Sequence, residues 1–246
     1  MREEVPHSHP RYASLKLREA IVAGVEQGVT SIHGLVAHGR GEAFDYLIGE
    51  ASQPFALEAV RAGAALLLQA RQPVISVNGN AAALVPAELA ALGRLLPAPL
   101  EVNIFHASRP REQAIREVLL ANGAEVVLMP TEEAQLSFIE SNRRFVHPDG
   151  IFRADVVFVP LEDGDRCQAL RRMGKEVVTV DLNPLSRTAR TASVAIVDNL
   201  ARAMPLLLEV VAQLRPEAPA VREGLVAAYD NHRVLRAAEA RIRSGA

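Results

Sequence analysis

The sequence predicts an α/β fold with an open, mainly parallel sheet in three layers, preceded by a helical segment and followed by a C-terminal helix. From residue 73 onward, short β-branched runs alternate with longer amphipathic runs. Most of the short runs are continuously apolar, which is typical of strands buried on both faces of a parallel sheet. The joins between the runs are short, so repeated strand, helix and strand units predict a doubly wound sheet.

Six short runs are the predicted strands of a sheet core that extends over residues 73–215. They are residues 73–78, 100–105, 124–129, 154–159, 176–181 and 193–198. Helices are predicted between strands at residues 86–96, 110–122, 131–142 and 163–173. Gly123 and Gly174 follow two of these helices, where a residue of left-handed conformation commonly ends a helix.

Both ends of the chain are predicted to be helical. Residues 1–72 form an entry segment that packs on the sheet, with helical patterns at 14–27, 30–37, 42–48 and 54–69. In the tail, residues 216–246, seven positions recur at spacings of three and four: Val221, Leu225, Ala228, His232, Leu235, Ala238 and Ile242. This stripe either docks on its own subunit or forms a dimer contact, with a possible hinge at 216–219. We expect a single domain over residues 1–246.

Composition and charge argue against several classes of protein. The chain carries 27 basic and 29 acidic side chains, a net charge of -2, whereas a protein that coats nucleic acid would carry a basic excess. Cys167 is the single cysteine, which excludes an intramolecular disulfide and fits a reducing compartment. The N-terminus lacks the pattern of a signal peptide, and no apolar run reaches the ~18 residues of a membrane span. We expect a cytoplasmic protein without nucleic-acid or membrane partners.

Polar residues follow the predicted strands, at the edge of the sheet where ligands bind in open parallel folds. After the first strand, Asn78 and Asn80 offer two amides, and Gly79 removes a side chain that would hinder a ligand. A plain turn explains the same tripeptide about as well. His106 follows the second strand. These four residues are candidate ligand contacts.

The longest polar loop follows the fifth predicted strand. Asp181 at the end of that strand can accept hydrogen bonds from a ribose, while Arg187 and Thr188 can donate to a phosphate. Asp198 and Asn199 follow the sixth strand. They offer a second pair of acceptors beside the loop, or they only cap the next helix.

A glycine-rich stretch in the entry segment, residues 38–42, is predicted to form a turn just before a helix. Backbone N–H groups at a helix start, together with the guanidinium of Arg40, would make a phosphate site. No Gly-Lys-Ser/Thr follows, so this is not a Walker loop, and no G-x-G-x-x-G follows the first strand, so an NAD fingerprint is missing. Arg18, on the first predicted helix, carries no weight on its own.

No metal site built by the protein alone is expected. The histidines show no spacing such as His-Glu-x-x-His. The acidic run at 162–165 could hold Mg²⁺, although an acidic first helical turn is the simpler explanation. His232 falls on the apolar stripe of the tail and is assigned a structural role. No Ser/His/Asp signature is present either.

Several long strings resemble the archaeal-type phosphopantothenate synthetase family, also called the 4-phosphopantoate–β-alanine ligases. The strings, in family order, are SHPRYASLKLREAIVAGVEQGVTS, GLVAHGRGEAFDYLIGE, PVISVNGNAAALVPAE, LEVNIFH, ADVVFVPLEDGDR, DLNPLSRTAR and VDN. The resemblance extends from about residue 5 to about residue 205. Ordered strings of this length are much more specific than any single motif above.

The resemblance implies a Rossmann-like fold and a cytoplasmic homodimer that acts in coenzyme A biosynthesis. The family joins (R)-4-phosphopantoate to β-alanine with ATP, giving 4'-phosphopantothenate, AMP and diphosphate. These products suggest an acyl adenylate, with Mg²⁺ neutralising the triphosphate. ATP contacts carried over from matching positions fall on Arg18, Arg40, Asp181, Leu182, Asn183, Arg187, Thr188, Asp198 and Asn199.

Within the implied site, side-chain chemistry suggests individual roles. Arg40 and Arg187 are expected to clamp phosphate groups. The nucleoside is expected to bind to Asp181, Asn183, Asp198 and Asn199. The hypothesis for phosphopantoate and β-alanine names Asn78, Gly79, Asn80, His106 and His38. No general base is identified.

Two other functions are compatible with the residues taken without the resemblance. An NAD-dependent oxidoreductase would use the same fold, but the missing glycine fingerprint argues against it. A nucleotide-binding regulatory domain would need the ATP contacts without an acyl acceptor site. The resemblance favours the ligase over both.

Overall fold

The protein has eight strands and eleven α-helices within residues 5–245, the part of the chain that the computed structural model describes. The strands are β1 (Pro73–Val77), β2 (Leu100–Val102), β3 (Val127–Leu128), β4 (Thr131–Gln135), β5 (Phe145–Val146), β6 (Val156–Pro160), β7 (Glu176–Val180) and β8 (Val194–Ile196). The helices are α1 (Tyr12–Glu26), α2 (Ile32–Ile48), α3 (Pro54–Gln69), α4 (Gly79–Leu84), α5 (Pro86–Leu95), α6 (Arg109–Ala121), α7 (Gly164–Arg172), α8 (Arg187–Thr191), α9 (Leu200–Leu214), α10 (Pro219–Ala228) and α11 (Asn231–Ser244). No helix in this part of the chain is both long and apolar enough to cross a membrane.

Six of the strands form one parallel sheet in the order β3-β2-β1-β6-β7-β8. Every predicted strand overlaps one of these six, so the predicted open parallel sheet is confirmed. The chain runs outward from β1 to β3 and then returns to continue from β6 to β8. The direction of winding therefore reverses between β1 and β6, and this reversal is where ligands bind in doubly wound folds.

The central strands are mostly apolar because helices cover both faces of the sheet. Val74 and Ile75 in β1 and Val157 and Phe158 in β6 are all buried, and Ile75 lies directly beside Phe158 in the ladder. Burial of each such side chain contributes about 1.5–3 kcal/mol. Helix α9 packs against both α3 and α5, while α7 and α8 pack against each other and against β7. Right-handed crossovers that run in opposite directions place their helices on opposite faces, which gives three layers.

The helix predicted at residues 131–142 is wrong. This segment instead forms β4, which pairs in antiparallel fashion with β5 outside the main sheet. Ala134 and Leu136 are buried while the side chains between and before them are exposed, which is the two-residue alternation of a strand. The backbone N–H of Leu136 continues the pairing by donating to the carbonyl of Arg144. Pairing with a distant segment therefore overrides the local helical pattern.

A buried carboxylate in β2 holds the segment between β3 and β6, which contains β4 and β5, against the sheet. Glu101 accepts hydrogen bonds from the backbone N–H groups of His147 (2.9 Å) and Ile151 (2.6 Å). Burial raises the pKa of Glu101 to about 7, against the lowering effect of these two donors. The segment that follows β5 is thereby fixed close to the carboxyl end of β2.

The glycine-rich turn predicted at residues 38–42 is also wrong, because α2 continues through it. Ser31 caps the start of the helix, and Gly49, in a left-handed conformation, ends it. A glycine inside a helix costs about 1 kcal/mol relative to alanine, so Gly34, Gly39 and Gly41 weaken this helix of 17 residues without breaking it. The predicted helices at 30–37 and 42–48 are parts of this single helix.

The tail forms two helices rather than one continuous stripe. Asp230 accepts from the backbone N–H of Arg233 and caps α11, so the helical pattern breaks just before it. Val234 and Ala238 are buried, and both tail helices pack on α3 of the same chain. Docking on its own subunit is therefore present. His232 is exposed, so the structural role assigned to it is wrong.

Candidate functional site

A cleft with a cavity volume of about 320 Å³ opens at the carboxyl ends of β1 and β6, where the winding of the sheet reverses. Residues that follow β2 line one side, and residues that follow β7 and β8 line the other. Eight of the residues predicted from the sequence lie on its walls: His38, Arg40, Asn78, Gly79, Asn80, His106, Leu182 and Asn199. Six others lie near the same edge of the sheet or beside the cleft without lining it: Arg18, Asp181, Asn183, Arg187, Thr188 and Asp198.

Arg40 projects from α2 into the wall of the cleft. Its side chain is exposed, and it makes no hydrogen bond or ion pair with any other residue from 5 to 245. The negative charge of Asp181, on the β7 side, lies close enough to interact with it. Because Arg40 lies in the middle of a helix, no free backbone N–H groups of a helix start accompany it. The guanidinium alone is available to an anion.

Three histidines face the same cleft. The rings of His33 and His106 lie 4.7 Å apart between centroids, which joins α2 to the loop after β2. His38 lies deeper, and burial lowers the pKa of its imidazole below the usual value. His38 is therefore neutral at neutral pH, and a neutral imidazole can accept a proton.

The two amides of Asn78 and Asn80 are engaged with the protein. Asn78 accepts from the backbone of Ala81 (3.0 Å), which caps α4, and donates to the carbonyl of Pro160 (2.9 Å). Asn80 accepts from the hydroxyl of Thr30 (2.5 Å) and also donates to a carbonyl of α2. These amides tie β1, β6 and α2 together and shape the floor of the cleft.

Gly79 allows a close approach of the chain itself rather than of a ligand. A Cβ atom at this position would lie 2.5 Å from the carbonyl oxygen of Val29 and 3.1 Å from Cα of Thr30. Both are backbone atoms and cannot swing away. The expected benefit of Gly79 to a ligand is thus replaced by a packing requirement between α4 and the loop before α2.

We expect Gly79→Ala to destabilise the protein by about 1–3 kcal/mol, because overpacking must displace backbone. Gly224→Ala is the matched control, since nothing lies within 4 Å of a Cβ atom at that position in α10. The control is expected to raise stability by about 0.5–1 kcal/mol. Urea denaturation measures both. Equal stabilities for the two variants would contradict the packing requirement.

An ion-pair cluster that the sequence analysis missed lies beneath the cleft. The carboxylate of Glu162 is buried between two buried guanidiniums, those of Arg143 and Arg166. Arg143 also contacts Asp163 (2.7 Å) and donates through Nε to Asn103 (2.9 Å). The cluster connects the segment between β3 and β6 to the residues that follow β6. Arg143 and Asp163 also line the cleft. The acidic run at 162–165 is thus an ion-pair partner of these arginines.

The loop after β7 is organised by its own side chains. Asp181 accepts from the backbone N–H of Asn183 (2.9 Å) and from the hydroxyl of Ser186. Burial raises the pKa of Asp181 above its ordinary value. Asn183 in turn accepts from the backbone of Leu185 (2.9 Å). Asp181 and Asn183 therefore fix the loop, and Leu182 between them reaches the cleft.

Arg187 and Thr188 begin the short helix α8 and have different surroundings. Arg187 is exposed, and its side chain lies over Gly164, where a Cβ atom would be 2.6 Å from Nε. Thr188 is buried and donates to the carbonyl of Glu162 (2.8 Å). Neither residue lines the cleft itself, although both lie at the same edge of the sheet.

Asp198 and Asn199 form a network that joins β8 to α2. Asp198 accepts from Arg202 (2.7 Å) and from the hydroxyl of Ser52 (2.5 Å). Asn199 accepts from a backbone N–H at the start of α9 and donates to Asp45 of α2 (2.9 Å). The helix cap considered from the sequence is therefore present, and Asn199 also lines the cleft.

Arg18 lies outside the cleft, on the other side of Glu42. Its Nε and Nη2 both donate to that carboxylate, at 2.8 and 2.6 Å. Arg11 and Ser14 bind the same carboxylate, and these contacts lower the pKa of Glu42 to about 2. Glu42 lines the cleft, so it connects the Arg18 cluster to the site.

The carboxylates do not form a metal cage. Within residues 5–245, no group of three or more His, Cys, Asp or Glu side chains is placed to hold a metal ion. Glu42 and Asp163 are the two carboxylates on the cleft wall, and each is paired with an arginine. An ion at this site would need further oxygen ligands from a bound molecule.

Comparison with known proteins places the chain in a family. A model of the family described as "Phosphopantothenate/pantothenate synthetase" matches residues 55–245. The 4-phosphopantoate–beta-alanine ligase of Methanosarcina mazei is 51% identical over 232 residues, which cover 94% of this chain and 91% of that protein. The proteins of the same name from Thermococcus onnurineus and Thermococcus kodakarensis are 49% and 50% identical, each over 94% of this chain and 89% of its own length. The chain therefore belongs to the phosphopantothenate/pantothenate synthetase family.

Proposed function

We propose that the protein is an ATP-dependent ligase that joins (R)-4-phosphopantoate to β-alanine and releases AMP and diphosphate. The observation that carries this proposal is the identity of about 50% over nearly the full length of three proteins named for that ligation. The product, 4'-phosphopantothenate, makes this an enzyme of coenzyme A biosynthesis. The single cysteine, Cys167, is buried and unbridged, which fits the expected cytoplasmic location.

The cleft suits two phosphorylated reactants. Its volume of about 320 Å³ falls in the range of small-molecule sites. The strand order puts the end of β2 at one side and the ends of β7 and β8 at the other, with β1 and β6 between. We place the nucleotide on the β7 and β8 side, where Arg40, Leu182 and Asn199 lie. The acyl substrate then occupies the β2 side.

The reaction is proposed to pass through an acyl adenylate. The carboxylate of phosphopantoate attacks the α-phosphorus of ATP, and diphosphate leaves. The amine of β-alanine, once it has lost a proton, attacks the acyl carbon, and AMP leaves. The protein contributes by holding three reactants in line and by offering positive charge where phosphoryl oxygens become more negative.

Mg²⁺ is proposed to accompany ATP. Because residues 5–245 contain no cluster of three metal-ligating side chains, most of its ligands would be phosphate oxygens and water. Asp163 could add one carboxylate oxygen at the cleft wall, since about half of its side chain is exposed. The ion would neutralise charge on the triphosphate.

A homodimer through α2 is part of the proposal. Ile32, Val36 and Tyr46 lie on one side of this helix and are 70%, 63% and 62% exposed. Large apolar side chains in a continuous helical stripe indicate an interaction surface. We expect Val36→Glu to convert the dimer to a monomer in sedimentation experiments. Val221→Glu, on α10, is the control, because Val221 is also exposed (44%) but belongs to the docked tail. A monomer from the second variant alone would place the interface in the tail.

The central experiment follows AMP release by the purified protein. We expect release to depend strictly on ATP, Mg²⁺, 4-phosphopantoate and β-alanine together. Omission of either organic substrate should reduce it to background. ATP binding without turnover in folded protein would contradict the ligase and support the nucleotide-binding regulatory domain.

A further inference from the structure

Arg111 lines the cleft, and part of its guanidinium has no hydrogen-bond partner. It lies in the first turn of α6, on the β2 side, and its Nη1 donates to the carbonyl of His106 (2.9 Å). Its Nε is buried and has no hydrogen-bond partner. Among residues 5–245, no carboxylate forms an ion pair with it. Burial, without an opposing acidic group, lowers the pKa of this guanidinium, which nevertheless stays charged at neutral pH.

Two neighbouring arginines, Arg109 and Arg143, have acidic partners. Arg109, two residues earlier on the same helix, pairs with Glu112 (3.4 Å). Arg143, which also lines the cleft, is paired with Glu162 and Asp163. Arg111 therefore holds a positive charge in the cleft wall that the protein itself leaves uncompensated. A buried donor without a partner weakens the fold unless a ligand supplies the acceptor.

The two uncompensated arginines of the cleft lie at its opposite sides. Arg40 is close to Asp181 on the β7 side, whereas Arg111 contacts the loop after β2. From β2 to β7 the sheet crosses three strand spacings, which amounts to roughly 14 Å. Two separate anionic groups fit the cleft better than one.

We propose that Arg111 binds the phosphate of 4-phosphopantoate. The proposal rests on the ligase function above. For reaction, the carboxylate of this substrate must meet the α-phosphorus of ATP near the centre of the cleft. Its phosphate is at the other end of the molecule and must then point away from the nucleotide, toward the β2 side. The Nε–H and Nη2–H groups of Arg111 form the parallel fork that pairs with two phosphate oxygens.

This contact would make Arg111 a residue that determines specificity. A site that pairs a buried donor with phosphate leaves that donor unpaired when the phosphate is missing, so it discriminates against pantoate. Arg111 is thus expected to affect the choice between phosphorylated and unphosphorylated acyl substrates. It is not expected to affect the binding of ATP or β-alanine.

The test compares Arg111→Met with Arg109→Met, a matched control on the same helix turn that does not line this cleft. We expect Arg111→Met to lower kcat/KM for 4-phosphopantoate by about 100-fold, the scale of one lost oxyanion contact. KM for ATP and for β-alanine should stay within about twofold, and pantoate, as substrate or as competitive inhibitor, should be unaffected. Arg111→Lys should recover part of the loss, because it keeps the charge without the fork.

The results separate this inference from the proposed function. Calorimetric titration of 4-phosphopantoate into the protein without ATP gives a readout that needs no turnover. Wild-type binding that Arg111→Met abolishes supports the contact even if no AMP forms. An equal loss for pantoate and 4-phosphopantoate, or a raised KM for ATP or β-alanine instead, would overturn it. So would wild-type affinity for 4-phosphopantoate in Arg111→Met.

Discussion

Replacing Arg40 with methionine is expected to lower kcat/KM of the ligase by about 10²–10³-fold, the effect of removing one preorganised donor to a developing oxyanion. Stability should change by less than about 0.5 kcal/mol, because Arg40 is exposed and forms no hydrogen bond or ion pair with residues 5–245 that the substitution would break. The methylene groups of methionine preserve the helical propensity of α2. Initial rates of AMP release, together with urea denaturation, measure both quantities.

The control for Arg40→Met is Arg233→Met. Arg233 lies on α11, pairs with Glu58 on the surface and is about half exposed. A surface pair of this kind contributes about 0–1 kcal/mol, so this variant should keep full activity with a small change in stability. An Arg40→Met enzyme with wild-type kcat/KM would exclude Arg40 as a phosphate contact. A large loss of stability would show that Arg40 is structural.

The sheet was predictable from the sequence because the apolar composition that marks each strand is a local property of the chain. Strands buried on both faces are mostly apolar, and the run Val-Val-Phe-Val at residues 156–159 of β6 is visible in the sequence without knowledge of its partner strands. The segment between β3 and β6 does not have such a local signal. Its two strands are short, and the burial of Ala134 and Leu136 depends on a partner about ten residues away. Pairing of this kind leaves only a weak local signal.

The position of the candidate site was predictable from the sequence, but the local structure and contacts of several of its residues were not. The strand ends indicated one edge of the sheet, and in the structure His106, Asn78 and Asn199 line one cleft there. Arg40 was predicted for a turn and is found on a continuous helix, yet it reaches the cleft because a helix face presents it equally well. Arg18 was placed by resemblance alone, and here it is bound to Glu42 beside the cleft.

Two arginines of the cleft, Arg111 and Arg143, could not be recognised as cleft residues from the sequence. Of the 27 basic residues in the chain, only Lys16 and Lys175 are lysines, and the other 25 are arginines spread along its whole length. What distinguishes Arg111 is a buried Nε atom without a hydrogen-bond partner in the cleft wall, and what distinguishes Arg143 is a partner 19 residues away. Both properties arise only when the chain is folded. The acidic run at 162–165 was the one visible clue.

Replacing Glu162 with glutamine is expected to lower the free energy of unfolding by about 3–5 kcal/mol, the cost of breaking a buried ion pair from one side. The carboxylate of Glu162 is the shared partner of Arg166, which is fully buried, and of Arg143, which is 4% exposed. Glutamine has nearly the same volume but no charge, so two guanidiniums would lose their common counter-ion. Denaturation in urea, with an unchanged m-value, measures the loss.

The matched control is Glu239→Gln, because Glu239 also pairs with an arginine, Arg243, but on the exposed surface of α11. Its stability should change by less than about 0.5 kcal/mol. The double variant Glu162→Gln with Arg166→Met should be less unstable than the sum of the single variants, since the second change removes a charge that the first leaves unpaired. Additive losses would show that Glu162 acts through packing. Coupled losses would show that this ion pair stabilises the floor of the cleft. The same Glu162 also fixes Arg143 at the cleft wall, and its backbone carbonyl accepts a hydrogen bond from the hydroxyl of Thr188.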